Sequence, residues 1–207
     1  MKKIIFSTIL ACLFFFNAQA QEEETTDDDY SKWQVRARAV AVSPAPYFYD
    51  AISGFDVEIS TTFAPELDIT YFLSKNIAFE LMVTSSKHDV ELNDGTRLGS
   101  VSLIPPTLSL QYHAYLNDFK PYIGAGMSYV IFNGTAAGDL DSIDYENAVG
   151  YTLQIGIDYN LSEKWFLNLD FKKMFLNTDV TANNDSTNTA EVNIDPLFLG
   201  FGVGMKF

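Results

Sequence analysis

Cysteine is nearly absent from this chain of 207 residues: the one copy, Cys12, lies inside an N-terminal apolar run. Once that run is removed, disulfide scaffolds, thiol nucleophiles and cysteine-ligated metals are excluded. Histidine is almost as scarce, with only His88 and His113. Positive charge is also thin, 13 Lys and Arg against 27 Asp and Glu, for a formal charge of -14. An acidic chain without basic clusters argues against nucleic acid as a partner. Beyond residue 20 no apolar run approaches the roughly 20 residues that a spanning helix needs. A membrane-embedded form of this chain must then be a closed β-barrel, because in lipid only helices and barrels satisfy their own backbone groups.

What the N-terminus does contain is ordered. Lys2 and Lys3 precede an apolar run from Ile4 to Phe16, and Ala18-Gln19-Ala20 forms a small-x-small site. Residues 1–20 therefore read as a secretory signal peptide. A lipoprotein cut at Cys12 is the alternative, but it would leave Leu13 to Phe16 on the mature protein. Removing Lys2 and Lys3 with the leader takes the charge from -14 to -16. Residues 21–32 follow as an acidic periplasmic tail, with Glu22, Glu23, Glu24, Asp27, Asp28 and Asp29 repelling one another. A calcium loop is the sharper reading of those acids, yet no D-x-D-x-D-G spacing occurs there.

Residues 33–207 alternate. At the C-terminus, Leu197, Leu199, Phe201, Val203, Met205 and Phe207 are apolar while Gly200, Gly202 and Gly204 occupy even positions. Val35 and Ala37 interleave with Arg36 and Arg38; Leu67 and Ile69 with Glu66, Asp68 and Thr70; Leu167 and Leu169 with Asn168 and Asp170. Period two is the signature of a strand with unlike faces. Three short polar breaks, Ser74-Lys75-Asn76, Asn117-Asp118-Phe119-Lys120 and Ser162-Glu163-Lys164, alternate with long polar segments. Their lysines and Lys206 fall 45, 44 and 42 residues apart, a hairpin pitch that yields eight strands. A soluble sandwich and a barrel place the same residues on the same faces. The leader, the terminal aromatic and the turn asymmetry favour an all-β, eight-stranded antiparallel transmembrane up-and-down barrel, with short periplasmic turns and longer extracellular loops. Trp33, Tyr71, Tyr112, Tyr159, Trp165 and Phe166 fall where an interfacial girdle would lie.

Several stretches resemble the outer membrane protein W (OmpW) family. They include Trp33-Gln34-Val35-Arg36-Ala37-Arg38, Pro65-Glu66-Leu67-Asp68-Ile69-Thr70-Tyr71-Phe72 and Asn76-Ile77-Ala78-Phe79-Glu80-Leu81. Pro105-Pro106-Thr107-Leu108-Ser109-Leu110-Gln111-Tyr112-His113, Pro121-Tyr122-Ile123-Gly124-Ala125-Gly126, Gly156-Ile157-Asp158-Tyr159, Trp165-Phe166-Leu167-Asn168-Leu169-Asp170 and Ile194-Asp195-Pro196 follow in family order. The resemblance implies a bacterial outer-membrane barrel that passes small hydrophobic molecules. The strand ending in Phe207 by itself resembles the terminal signal that the barrel-insertion machinery reads.

An eight-stranded barrel is just wide enough for its side chains to fill, so a general aqueous pore is not expected. A hydrophobic solute would instead enter an extracellular apolar funnel and leave laterally through the wall. Tyr47, Phe48, Tyr49, Phe55 and Phe63 are the candidate funnel lining; the same aromatics would equally pack the loop or touch headgroups. Pro44, Pro65, Pro105, Pro106 and Pro196 are the candidate gap residues, because proline cannot donate to the ladder. A non-transporting structural or surface-receptor barrel is the alternative function.

Arg36, Arg38, Lys172, Glu66, Asp68, Glu80, Asp158 and Asp170 would face one another in the lumen, as filler or as an electrostatic gate. Inward charges in so narrow a space must pair. Outside, membrane lipid and lipopolysaccharide are the expected partners. His113 reads as hydrogen-bonded filler, and His88 lies beside Ser85, Ser86 and Asp89 without the placement that a serine-histidine-acid site demands. No enzyme, cofactor or metal site is expected.

Overall fold

The computed structural model describes residues 30–44, 47–48, 57–92, 97–136, 143–182 and 189–207. The signal peptide, most of the acidic tail, Tyr49 and Phe55 lie outside the described residues. Everything below belongs to the unit Ser31–Phe207.

Fifteen strands occur among the described residues. They are β1 (Trp33–Ser43), β2 (Tyr47–Phe48), β3 (Val57–Ile59), β4 (Thr62–Phe72), β5 (Ile77–Thr84), β6 (Ser86–Leu92), β7 (Arg97–Ile104) and β8 (Thr107–His113). Then come β9 (Phe119–Ala136), β10 (Ile143–Tyr145), β11 (Ala148–Asn160), β12 (Trp165–Phe175), β13 (Asn177–Ala182), β14 (Thr189–Asn193) and β15 (Leu197–Lys206). Eight of them, β1, β4, β5, β8, β9, β11, β12 and β15, form the barrel, each antiparallel to its neighbours. Closure comes from β1 and β15, paired from Gln34↔Lys206 to Ser43↔Leu197. The backbone N–H of Phe207 donates to the Trp33 carbonyl at 2.9 Å, so the chain's last residue is stitched to the first barrel strand.

The long polar segments differ from expectation. Those after β5 and β12 are not loops throughout: β6–β7 and β13–β14 continue the hairpins beyond the barrel. The inward positions of these extensions, such as Val90, Val101 and Val192, are buried. A ladder with one apolar face can fold back on itself, and the outward polar residues concealed that in the sequence.

Burial alternates along β1, β4, β5, β8 and β12. Outward positions are apolar and bare: Leu67 is 61% exposed, Ile123 60% and Tyr151 62%. So large a continuous apolar surface is compatible with lipid and not with water. Trp33 packs tilted against Tyr71 with ring centres 4.6 Å apart, and Phe119 against Tyr159 at 4.9 Å, on the end with the short turns. Phe166 does not join this girdle: it is fully buried and points inward. Gly204 makes room for it, as Gly156 does for Tyr122. A Cβ at Gly204 would lie 2.2 Å from the Phe166 ring, and one at Gly156 would lie 2.3 Å from the Tyr122 ring. Both rings therefore lie across glycines of the facing strands, as a narrow barrel interior requires.

Candidate functional site

The lumen is stratified. Nearest the short turns, Phe72, Ala78, His113 and Phe166 are buried, and the ammonium of Lys120 sits 4.5 Å from the centre of the Phe72 ring. His113 Nε2 meets Gln111 Oε1 at 3.0 Å. Above them lies a fully buried ion network. Arg36 Nε reaches Asp68 Oδ1 at 2.8 Å, and Arg36 NH2 reaches Glu80 Oε2 at 2.8 Å. Arg38 Nε lies 2.8 Å from Glu66 Oε1, and its guanidinium also pairs with Asp68, Glu80 and Asp170. Lys172 Nζ binds Glu66 Oε1 at 2.9 Å and also pairs with Asp170. Asp158 faces Arg36 NH1 and Lys120 Nζ, each at 3.5 Å.

All eight charges named from the sequence thus meet in one layer. Lys120 was missed because it abuts a turn, although it shares the inward face of β9 with Tyr122. Neutral side chains complete the layer: Gln154 Nε2 donates to Asp170 Oδ2 at 2.8 Å, Tyr122 OH to Asp170 Oδ2 at 2.6 Å, and Asn168 Nδ2 to Asp158 Oδ1 at 2.7 Å. Their signal was only strand parity. With its charges paired and buried, this layer fills the lumen at its level.

A thin hydroxyl layer follows. Thr107 Oγ1 meets Ser128 Oγ at 2.7 Å, and Ser128 Oγ meets Thr152 Oγ1 at 3.1 Å. Above it the inward face turns apolar, with Val40, Val42, Val130, Met174, Leu176 and Phe198 in one buried cluster. An apolar cavity of about 20 Å³ opens within this cluster, room for about one water. Val42, Pro44, Val130 and Phe198 form part of its wall; Leu103, Pro105, Met174, Leu176, Ile194 and Pro196 supply the remaining apolar lining.

This is not the lining expected from the sequence. Phe63 points outward and is 81% exposed, because its odd-numbered position on β4 shares the lipid face with Leu67. Tyr47 and Phe48 form β2, which pairs with β14, while Tyr49 and Phe55 lie outside the described residues. The overlooked signal was loss of alternation: Ala39-Val40-Ala41-Val42, Val130-Ile131-Phe132 and Met174-Phe175-Leu176 are apolar on both faces.

Among the described residues, two that line the cavity have polar side chains, Ser86 and His88. Both are inward neighbours on β6, whose outward residues Lys87 and Asp89 are exposed, which places β6 above the lipid-facing band. His88 Nδ1 lies 2.8 Å from the Ser60 carbonyl oxygen, and Nε2 lies 3.0 Å from Ser86 Oγ. A carbonyl only accepts, so Nδ1 carries the proton and Nε2 accepts from the Ser86 hydroxyl. Burial holds the His88 pKa below its ordinary value, which favours that neutral imidazole.

The prolines divide into distinct cases. Between β5–β6 and β7–β8, pairing stops at Met82↔Thr107 and resumes at Ser86↔Leu103 in the same register. Val83, Thr84 and Ser85 therefore stand opposite Ile104, Pro105 and Pro106 without ladder pairs. Pro105 lacks the N–H that would face Thr84, which accounts for the break. Pro106 faces β9, where its carbonyl accepts from the Tyr129 N–H at 3.1 Å, and Thr107 Oγ1 donates to the Pro105 carbonyl at 3.1 Å. Pro105 itself lines the cavity. At Pro196 the corresponding seam is bridged: Met174 N donates to the Pro196 carbonyl at 3.0 Å and Ile194 N to the Leu176 carbonyl at 2.9 Å. Asp195, at a φ of 39°, closes it further by accepting from Leu176 N at 3.0 Å. Pro65 sits within the β1–β4 ladder opposite Ala39 and faces lipid. Pro44 lies one residue past the last β1–β15 pair, at the rim. The wall is thus joined at the β1–β15 closure and at Pro196, and open in its ladder beside Pro105 and Pro106.

A family model, OmpW family, matches residues 30–207. The chain belongs to the OmpW family. Among OmpW-related sequences, it is 38% identical over 184 residues to the uncharacterized outer-membrane protein y4mB of Sinorhizobium fredii, covering 86% of this chain and 80% of that one. It is 30% identical to the outer membrane protein AlkL of Ectopseudomonas oleovorans, covering 76% of this chain and 71% of AlkL. The fold matches the crystal structure of OprG from Pseudomonas aeruginosa with a TM-score of 0.73 at 22% identity, over 86% of this chain and 96% of OprG. This OmpW-family chain is therefore an outer-membrane β-barrel.

Proposed function

We propose that this barrel admits small hydrophobic molecules from outside the cell and releases them sideways into the membrane, through the seam beside Pro105 and Pro106. One juxtaposition carries the reading: the apolar cavity abuts the unpaired seam, while the buried ion network bars the route straight down. A hydrophobic solute crossing the charged layer would strip paired ions of their partners, at a cost of about 3–5 kcal/mol for each broken pair. Leaving through the wall exchanges one apolar surrounding for another. Val83 and Ile104, both exposed to lipid, flank the outlet. The cavity as it stands holds about one water, so passage requires its side chains to part, and unbranched Met174 is suited to that. The role involves no covalent step. Its solutes and the surrounding lipid and lipopolysaccharide are the partners that this reading assigns.

A cross-strand disulfide tests it. Thr84 and Pro105 stand opposite each other in the interrupted register. With Thr84→Cys and Pro105→Cys, oxidation is expected to lower uptake of a hydrophobic solute by cells bearing the protein, and reductant to restore it. Uptake identical in cells with wild type, with the locked variant and with no barrel would favour a structural or surface-receptor role.

A further inference from the structure

The cavity carries a polarity that its apolar walls hide, and we infer that it selects hydrophobic solutes bearing a hydrogen-bond donor, such as an aliphatic alcohol, over equally hydrophobic solutes that only accept. This rests on the proposed conduit and names its substrate class. His88 Nδ1–H is committed to the Ser60 carbonyl at 2.8 Å, leaving Nε2 as an acceptor. The Ser86 hydroxyl proton is in turn committed to Nε2 at 3.0 Å. What Ser86 Oγ has left to offer a guest is lone pairs. No other side chain lining the cavity among the described residues carries a polar group. An alcohol entering here donates to Ser86 Oγ and buries its chain against Leu103, Val130 and Met174. A ketone of the same length presents its oxygen to another acceptor, and neither is satisfied.

The orientation follows from chain geometry. Ser86 and His88 are separated by one residue on β6, so their side chains lie on one face. The Ser60 carbonyl reaches His88 because β3 pairs with β6 at Ile59↔Val90 and the chain then turns away into β4. The backbone of one strand thereby sets the tautomer of a side chain on the next, and the tautomer sets the direction of the serine proton. His88 acts as a positioning residue and Ser86 as the contact.

The experiment uses the full-length barrel in lipid nanodiscs, with 1-octanol, 2-octanone and octane as probes and binding followed by calorimetry. Wild type is expected to bind octanol roughly tenfold more tightly than octanone, the discrimination that one hydrogen bond supplies. In His88→Phe the Ser86 proton is released to donate outward, so octanone affinity rises and the preference shrinks or inverts. In the double variant Ser86→Ala with His88→Phe, the preference disappears. Variants are accepted for comparison when they keep the heat-modifiable gel mobility of a folded barrel. Equal wild-type affinity for octanol and octanone, or an unchanged preference in the double variant, overturns the inference and leaves the conduit standing. Failure to bind any of the three probes overturns both. A wild-type preference with no shift in foldable His88→Phe overturns the tautomer argument.

Discussion

Arg38 shows how much the lumen depends on single side chains. It pairs with Glu66, Asp68, Glu80 and Asp170, so Arg38→Met removes the shared cation from four buried carboxylates. Losing one partner of a buried pair costs about 3–5 kcal/mol. Arg38→Met is expected to destabilise the barrel by at least that much in urea unfolding from bilayers. Gly204 is the second such position. A side chain there meets the Phe166 ring, and Gly204→Val is expected to cost about 1–3 kcal/mol, the usual penalty of overpacking. The partner variant Phe166→Ala, combined with it, should recover part of the loss. A shortfall of rescue would show that the clash lies in the backbone instead. That these residues face inward was legible from parity alone. Which of them touch was not, because Arg36 and Glu80 lie 44 positions apart and meet across strands.

At the scale of the strand, proline behaves according to its neighbours. At Pro196 the seam is bridged by Asp195, Met174 and Ile194, whereas beside Pro105-Pro106 three positions on each side lack pairs across the seam. Replacing both by alanine restores a donor facing Thr84 at position 105 and one facing Tyr129 at position 106. Pro105→Ala with Pro106→Ala is expected to zip the seam, slow amide exchange at Thr84 and reduce solute uptake. Faster uptake would contradict the lateral route. The terminal strand raises a separate expectation. Phe207 is 59% exposed and its backbone N–H, not its ring, holds Trp33. Phe207→Ser should therefore leave the unfolding midpoint of assembled barrel nearly unchanged, while lowering the fraction inserted in cells. Pulse-chase measurement of the heat-modifiable form separates the two. The sequence made the alternating strands and short turns plain. It did not make β6–β7 and β13–β14 plain, because their outward polar residues read as loop and their inward valines were too few to establish a period.

For the whole molecule, the stratified interior leads to one electrical expectation. The described lumen is spanned by buried, mutually paired charges, so the barrel in a planar bilayer should show no steady ion conductance. Asp158→Asn leaves Lys120 and Arg36 with one partner fewer, and a folded variant that stays silent would identify the network as a plug. A variant that conducts would identify it as a gate. Much of this architecture follows from sequence by itself. Period-two alternation and the hairpin pitch point to eight strands, and the leader, the terminal aromatic and the turn asymmetry favour a membrane barrel over a sandwich. Each of those is a local property that neighbouring residues carry. Tertiary structure decided the rest: that Phe63 faces lipid, that the cavity is built from Leu103, Met174 and Phe198, that the wall is open beside Pro105-Pro106 and bridged at Pro196, and that Ser60 orients His88. The reason is physical. Register between strands brings together side chains and carbonyls dozens of residues apart, and whether a missing N–H leaves a gap depends on what lies opposite it.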